Sequence, residues 1–215
     1  MQNFEKMKIA LTIIFLIISH EIFSQTQILI EPTNLTSIQE YEDSIKSTSK
    51  GFQSFNPYYD EDFEDIYEVW TEVLKKPLIY KRNNDNFFPT LHTWYFYDKD
   101  SVVKLIKYNW GFANTSIEVN DSIIKNQVLR LRDYKNKYKV EKKNLLRLLG
   151  KPNLEDVTKE TASYINTKSV WDLPNKRVVI NMTVDKKVVE FDSEKVKNTI
   201  VIPRSKIEIK ILMKE

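Results

Sequence analysis

The 215-residue sequence contains no cysteine, and this absence limits both its chemistry and its anchoring. Disulfide bonds, a thiolate nucleophile and lipid attachment through an N-terminal cysteine are all excluded. Glycine is also scarce: the chain has only Gly51, Gly111 and Gly150, so no glycine-rich loop is present to cradle a phosphate group. The stability of the fold must therefore come from burial and hydrogen bonding.

Histidine is also rare: of the two histidines in the chain, only His92 lies beyond the N-terminal segment. A catalytic triad built on it would need a Gly-x-Ser-x-Gly elbow or a cysteine, and the sequence has neither. A zinc site would have to recruit distant carboxylates. The acidic run at 60–65 resembles the start of a calcium loop, but Asp65 and Thr71 replace the required glycine and glutamate. We therefore predict no catalytic residue, no metal site and no cofactor.

The N-terminus carries Lys6 and Lys8, then the ten-residue run Ile9–Ile18, then a polar exit that includes Ser24. This layout is typical of a secretory signal peptide. Ten helical residues span about 15 Å, roughly half of a bilayer's hydrocarbon core, which disfavours a permanent anchor. We predict a signal peptide over 1–24 and an exported protein, periplasmic or extracellular, without a membrane span after signal removal. Abundant Ile, Lys and Asn favour a bacterial source.

Residues 25–59 are mostly polar and hold no period for long, which predicts a partly disordered N-terminal arm. Within it, residues 28–30 are a candidate for a short edge strand and Ser37–Lys46 for a weak helix. From residue 60 onward the pattern sharpens. Apolar residues at helical spacing predict one helix over Asp62–Pro77 and a lysine-rich one over Tyr134–Gly150. Gly150 and Pro152 together terminate the second helix.

Aromatic and β-branched residues predict strands between and after these helices. Residues 91–98 and 101–110 form one predicted hairpin, and residues 162–171 and 177–185 form another. In the C-terminal segment 206–213, every second residue is apolar and faces one way: Ile207, Ile209, Ile211 and Met213. Such alternation predicts an antiparallel sheet with one face buried and the other in water.

The order helix then hairpin occurs twice, which predicts an α+β domain over residues 60–215. In this fold, the helices pack on one face of the antiparallel sheet. The repeated order also suggests two tandem helix–hairpin units, with pseudo-repeats at about 60–119 and 120–215.

The segment Leu149–Pro152, followed by Trp171, has an earlier counterpart in Leu74–Pro77 and Trp94. This pattern resembles small exported bacterial domains built as helix, Gly-Lys-Pro turn and tryptophan-headed antiparallel sheet. They include the SmpA/OmlA-like domain of outer-membrane assembly lipoproteins and the tandem β-lactamase-inhibitor-protein fold. Both families carry cysteines that this chain lacks. The resemblance therefore implies a fold and carries over no functional residue.

Charge is unevenly distributed along the chain. Residues 38–72 contain ten acidic residues and two lysines, whereas residues 125–152 contain ten basic residues and two acidic ones. These two poles either face each other within the molecule or present opposite fields to a partner. Lys139 and Lys143, on the basic helix, are candidate binding residues. A solvated lysine-rich helix face explains the same residues without a ligand.

Aromatic residues offer a second candidate surface. Trp94, Tyr95 and Trp110 are candidate anchors if they lie on an open face of the sheet. The alternative is that the tryptophans all pack in the core.

Together these features predict a non-enzymatic exported module that binds a macromolecule of the cell envelope or of the extracellular space. Nucleic acid is not an expected partner, because the protein is exported and its basic pole is balanced by an acidic one. The alternative is a carboxylate-dependent hydrolase acting on glycans or peptides. A structural role in assembly is a third reading. The sequence specifies neither the partner nor the oligomeric state.

Overall fold

The computed structural model describes residues 28–31, 33–52, 76–83, 87–111, 130–186 and 205–214. Within these ranges the chain forms two helices and eight strands. The elements are α1 (Leu35–Ser44), β1 (Thr48–Phe52), β2 (Leu78–Arg82), β3 (Leu91–Tyr97), β4 (Val103–Trp110), α2 (Leu131–Leu149), β5 (Leu154–Glu160), β6 (Tyr164–Asp172), β7 (Lys176–Asp185) and β8 (Lys206–Met213).

The eight strands form one sheet in the order β1-β2-β3-β4-β8-β7-β6-β5. Every neighbouring pair is antiparallel. The C-terminal strand β8 lies between β4 and β7 and so joins the two predicted hairpins into a single sheet. The predicted α+β class and its antiparallel sheet are confirmed, and the sheet is the dominant part.

The strongest local patterns gave the correct elements. Both predicted hairpins, the C-terminal strand and the lysine-rich helix are present, although α2 begins at Leu131. The predicted signal peptide and most of the predicted helix Asp62–Pro77 lie outside the described residues. The division into pseudo-repeats therefore stays a prediction.

Part of the predicted N-terminal arm belongs to the folded domain. The side chain of Asn34 accepts a hydrogen bond from the backbone N–H of Ser37 at 2.9 Å and so caps α1. Further along, β1 pairs with β2 as the edge strand of the sheet. Residues 35–52 therefore contribute a helix and a strand.

One face of the sheet carries the larger hydrophobic cluster. The alternating apolar residues of β8, Ile207, Ile209, Ile211 and Met213, all belong to this cluster, as their spacing predicts. Ile38 of α1 and Tyr134, Tyr138 and Leu145 of α2 are members of the same cluster. Side chains of both helices thus share one core with alternate residues of the strands.

The expectation that the opposite face is wet is wrong. On β8, Glu208 is 1 % exposed, Lys210 is 5 % exposed and Leu212 is buried. Glu208 is compensated by ion pairs with Lys107 at 2.7 Å and Lys206 at 2.6 Å. Burial alone would raise the pKa of Glu208, but Lys107, Lys206 and Lys210 outweigh it and lower the pKa well below its usual range. Polar residues at alternate positions are therefore buried as charge pairs.

The end of α2 is fixed by the residues that mark it in the sequence. Gly150 has a positive φ of 77°, and its N–H donates to the carbonyl of Leu146 at 3.0 Å. The indole N–H of the fully buried Trp171 donates to the carbonyl of Gly150 at 2.8 Å. The tryptophan of β6 thus holds the helix end against the sheet.

Candidate functional site

A cavity of about 390 Å³ lies between α2 and the strands β5, β6 and β7. We call it the lysine groove. Its helix side is formed by Lys135, Tyr138, Lys139, Lys142, Lys143 and Leu146. Its strand side is formed by Asp156, Thr158, Thr167 and Met182.

The amphipathic pattern of α2 places lysines in the groove. Tyr134, Tyr138 and Leu145 are buried against the sheet, and α2 packs on β7 and β8. Residues three and four positions apart share one side of a helix. Lys139 and Lys143 consequently project from the same side.

The floor of the groove is held by a hydrogen-bonded cluster around Asp156. The hydroxyl of Tyr138 donates to Asp156 Oδ1 at 2.9 Å, and Lys142 Nζ donates to Asp156 Oδ2 at 2.6 Å. Ser169 Oγ accepts from the backbone N–H of Asp156 at 3.0 Å. Lys142 also pairs with Glu155 at 2.9 Å. These contacts link α2 to the edge strand β5 and fix the position of Lys142.

Asp156 also has an unusual backbone. Its φ is +47°, and the pairing of β5 with β6 shifts register between Leu154 and Val157. A bulge of this kind redirects a side chain at the edge of a sheet. Here it coincides with the carboxylate that accepts hydrogen bonds from α2, and these contacts compensate for the strained conformation.

Electrostatics keep this cluster charged. Burial would raise the pKa of Asp156, but its hydrogen bonds with Lys142 and Tyr138 outweigh burial and lower it. Burial would likewise lower the pKa of Lys142, and its hydrogen bonds with Asp156 and Glu155 raise it instead. The pair is therefore ionised at neutral pH and is engaged internally.

The remaining lysines of the groove are free to meet a ligand. Lys135, Lys139 and Lys143 are exposed. None of the three forms a salt bridge with any residue in the part of the chain that the structure describes. They give the groove a positive field beside the hydrogen-bonded Asp156 cluster.

The structure separates the five residues predicted to bind a partner. Lys139 and Lys143 both line the lysine groove. Trp94 is 4 % exposed, and Tyr95 and Trp110 are fully buried. The expectation of an exposed aromatic patch on the sheet is therefore wrong, because these side chains pack in the two hydrophobic clusters.

Trp94 also lies apart from Tyr95 and Trp110, which share the larger hydrophobic cluster. Successive residues of a strand point to opposite faces, so Trp94 and Tyr95 lie on different sides of the sheet. Trp94 stacks on Phe96. Trp110 belongs to the other cluster, and Lys137 Nζ lies 4.8 Å from the centroid of its ring. They act as core residues of the sheet.

Lys135, Lys142 and Asp156 are site residues that the sequence interpretation missed. The two lysines lie four residues before Lys139 and three residues after it, and this helical spacing was the available signal. No comparable signal marks Asp156, because its place in the groove depends on the bulge in β5.

The described carboxylates with a shifted pKa do not have the raised value that a hydrolytic general acid needs. The pKa values of Asp156, Glu160 and Glu208 are each displaced downward, whereas a general acid needs a raised one. The pKa of His92 is lowered chiefly by burial. Across the described ranges, no group of three or more potential metal ligands is assembled, and no helix has the length and apolar character needed to cross a bilayer.

No protein-family model, curated protein or solved structure matches the chain. The resemblance to the assembly-lipoprotein domain and to the inhibitor fold stays a prediction.

Proposed function

We propose that the protein is a non-enzymatic, exported module that binds an anionic macromolecule of the envelope or extracellular space through the lysine groove. The observation that carries this proposal is the contrast within the groove. Lys142 is committed to Asp156 and Glu155, whereas Lys135, Lys139 and Lys143 have no such partners among the described residues.

This division suits binding rather than internal stabilisation. Solvent-exposed lysines do little for stability by themselves, but several of them around one concavity create a field that attracts an anion. The fixed floor keeps the helix and the edge strand in register, so the cations do not have to be gathered when the ligand arrives. The expected interaction is electrostatic and weakens as salt increases.

The alternative function, a carboxylate-dependent hydrolase, has less support. A glycosidase needs two carboxyl groups, one of them protonated at working pH. In the lysine groove the lining carboxylate is Asp156, and its hydrogen bonds with Lys142 and Tyr138 favour the ionised form. This environment suits a structural carboxylate.

Export and the finer architecture belong to the same proposal. Export is supported by the N-terminal pattern of residues 1–24. Packing of both helices on one face of the sheet, as in tandem helix–hairpin units, is supported by the cluster that Ile38 and Tyr134 share. We expect the predicted helix Asp62–Pro77 to complete the first unit.

The proposal is tested with residues 25–215, with dextran sulfate as a probe of known charge and unmodified dextran as its neutral counterpart. We expect dextran sulfate to bind and the logarithm of its Kd to rise with the logarithm of salt concentration. The variant K139E/K143E should weaken binding by about tenfold or more. The matched control K50E/K99E also reverses two exposed lysines, and it should bind within about twofold of wild type.

Two results would overturn the proposal. One is equal binding of dextran sulfate and dextran. The other is loss of affinity in K50E/K99E as large as that in K139E/K143E, because the field would then belong to the whole protein.

A further inference from the structure

The free cations of the lysine groove continue along α2 beyond the cavity. Arg132 precedes Lys135, Lys139 and Lys143, and Arg147 follows them, at spacings of three or four residues. All five are exposed. We call this row the cationic ladder. At 1.5 Å per residue it is about 22 Å long, with about 6 Å of rise between residues four positions apart.

The acidic residues around the ladder are paired with other cations. Asp133 pairs with Arg130 at 3.0 Å, and Glu141 pairs with Lys137 at 2.8 Å. Glu155 and Asp156 pair with Lys142, and Glu160 pairs with Lys186 at 2.6 Å. None of the five ladder residues forms a salt bridge with a described residue, so the ladder presents a line of positive charge.

A line of charges selects a different ligand from a cluster of charges. Cations that converge on one point suit a single phosphate or sulfate group, which is chelated from several sides. Cations spread along about 22 Å of helix suit a polymer that carries an anionic group at regular intervals. Such a polymer gains affinity from each additional contact because the contacts form within one molecule.

The groove beside the ladder distinguishes between classes of polyanion. Proteins that hold single-stranded nucleic acid usually stack bases on exposed aromatic rings. The groove's aromatic residue, Tyr138, is 4 % exposed, and its hydroxyl bonds to Asp156 and Ser169. The strand side instead presents Thr158, which is exposed, and Thr167, which is half-buried, with their hydroxyl oxygens 3.1 Å apart. Hydroxyl groups in a groove without an exposed aromatic ring suit a sugar better than a base.

We infer that the ligand of the lysine groove is a linear acidic polysaccharide that lies along α2, with its carboxylate or sulfate groups on the cationic ladder. This inference rests on the proposed function and narrows it to one class of macromolecule. One sugar segment occupies the cavity near Tyr138, and the chain extends in both directions toward Arg132 and Arg147.

The test uses oligogalacturonates of increasing length with residues 25–215, and oligothymidylates that carry matched numbers of charges. We expect affinity to increase with oligogalacturonate length until the oligomer spans the ladder, and to exceed that of the matched oligothymidylate. The variant R132Q/R147Q removes the two ends of the ladder and leaves the cavity intact. This variant should weaken the binding of an oligomer that spans the ladder, and it should lower the salt slope of that binding by about two. It should not change the affinity for the shortest oligomer.

The outcomes separate this inference from the proposed function. Equal affinity for oligogalacturonate and oligothymidylate, or affinity without length dependence, overturns the polysaccharide inference while dextran sulfate binding still supports an anion-binding module. Lost binding of the shortest oligomer in R132Q/R147Q also overturns the polysaccharide inference, because Arg132 or Arg147 would then belong to the binding site in the cavity. If no polyanion binds, dextran sulfate included, both the polysaccharide inference and the proposed function are overturned. Circular dichroism of R132Q/R147Q checks that α2 remains folded.

Discussion

Glu42 and Arg82 form a buried ion pair that ties α1 to the sheet, and replacing Glu42 with leucine is expected to be strongly destabilising. Glu42 is fully buried, and Arg82 Nη2 lies 2.5 Å from its Oε1 atom. Tyr95 donates its hydroxyl hydrogen to the same carboxylate. The guanidinium of Arg82 also lies 5.2 Å from the ring centroid of Tyr108.

The magnitude follows from what the substitution leaves behind. Burial alone would lower the pKa of Arg82, but Tyr108, Glu42 and Tyr95 outweigh burial and raise it, so Arg82 is charged in the folded protein. Glu42→Leu removes its anionic partner and strands that charge in the core. Breaking a buried pair in this way costs about 3–5 kcal/mol. Since a domain of this kind is stable by about 5–15 kcal/mol, the loss would be a large part of the total.

Urea unfolding at neutral pH measures this loss, and a double-mutant cycle isolates the pair. We expect Glu42→Leu and Arg82→Met each to be strongly destabilising. The double variant should recover much of the loss, because apolar residues of similar size replace the whole pair. Glu40→Leu, at an exposed position of the same helix, should change stability by less than about 0.5 kcal/mol. Two results would refute a buried charge pair. One is a double variant whose loss of unfolding free energy equals the sum of the two single losses, and the other is a Glu42→Leu loss no larger than that of Glu40→Leu.

Asp156 on the edge strand β5, and Gly111 where the chain approaches Lys206, also contribute to stability. The pKa of Asp156 is lowered in the folded protein, so its stabilising effect is complete above its ordinary value of 3.8 and is lost as pH falls through the folded value. The difference in unfolding free energy between wild type and Asp156→Asn should therefore be present at neutral pH and shrink in acid; a difference independent of pH would contradict this. A Cβ atom on Gly111 would lie 2.8 Å from the Cβ atom of Lys206, so Gly111→Ala should destabilise by about 1–3 kcal/mol. Urea unfolding measures this loss. If Gly111→Ala leaves the free energy of unfolding unchanged, β4 and β8 can separate there without cost, and the prediction is wrong.

Local patterns predicted the elements well because their causes are local. The hairpins were visible from β-branched and aromatic runs on either side of turn residues. The end of α2 was visible because Gly150 supplies a positive φ and Pro152 cannot continue a helix. Lys139 and Lys143 could be placed at the site because helical spacing alone puts them on one side of α2.

Other features depend on partners that are distant in sequence. Glu208 reads as a solvent-facing residue of β8 until Lys107 of the neighbouring strand β4 is placed beside it. Asp156 reads as a residue of a polar strand until the bulge in β5 turns it toward Tyr138. The aromatic site failed for a simpler reason. Period-two alternation alone sends Trp94 and Tyr95 to opposite faces, so they could not have formed one patch.

The structure also bears on how the two charged poles of the sequence are used. Glu42, from the acidic pole, pairs with Arg82 on β2, and Lys142, from the basic pole, pairs with Asp156 on β5. In the described residues, each of these poles thus uses a buried or partly buried member to attach its own helix to the sheet. The cations of α2 that remain have their neighbouring acids already engaged elsewhere. Among the described residues, no member of the acidic pole forms a salt bridge with these cations, and a positive field that is not neutralised is the condition that binding of a polyanion requires.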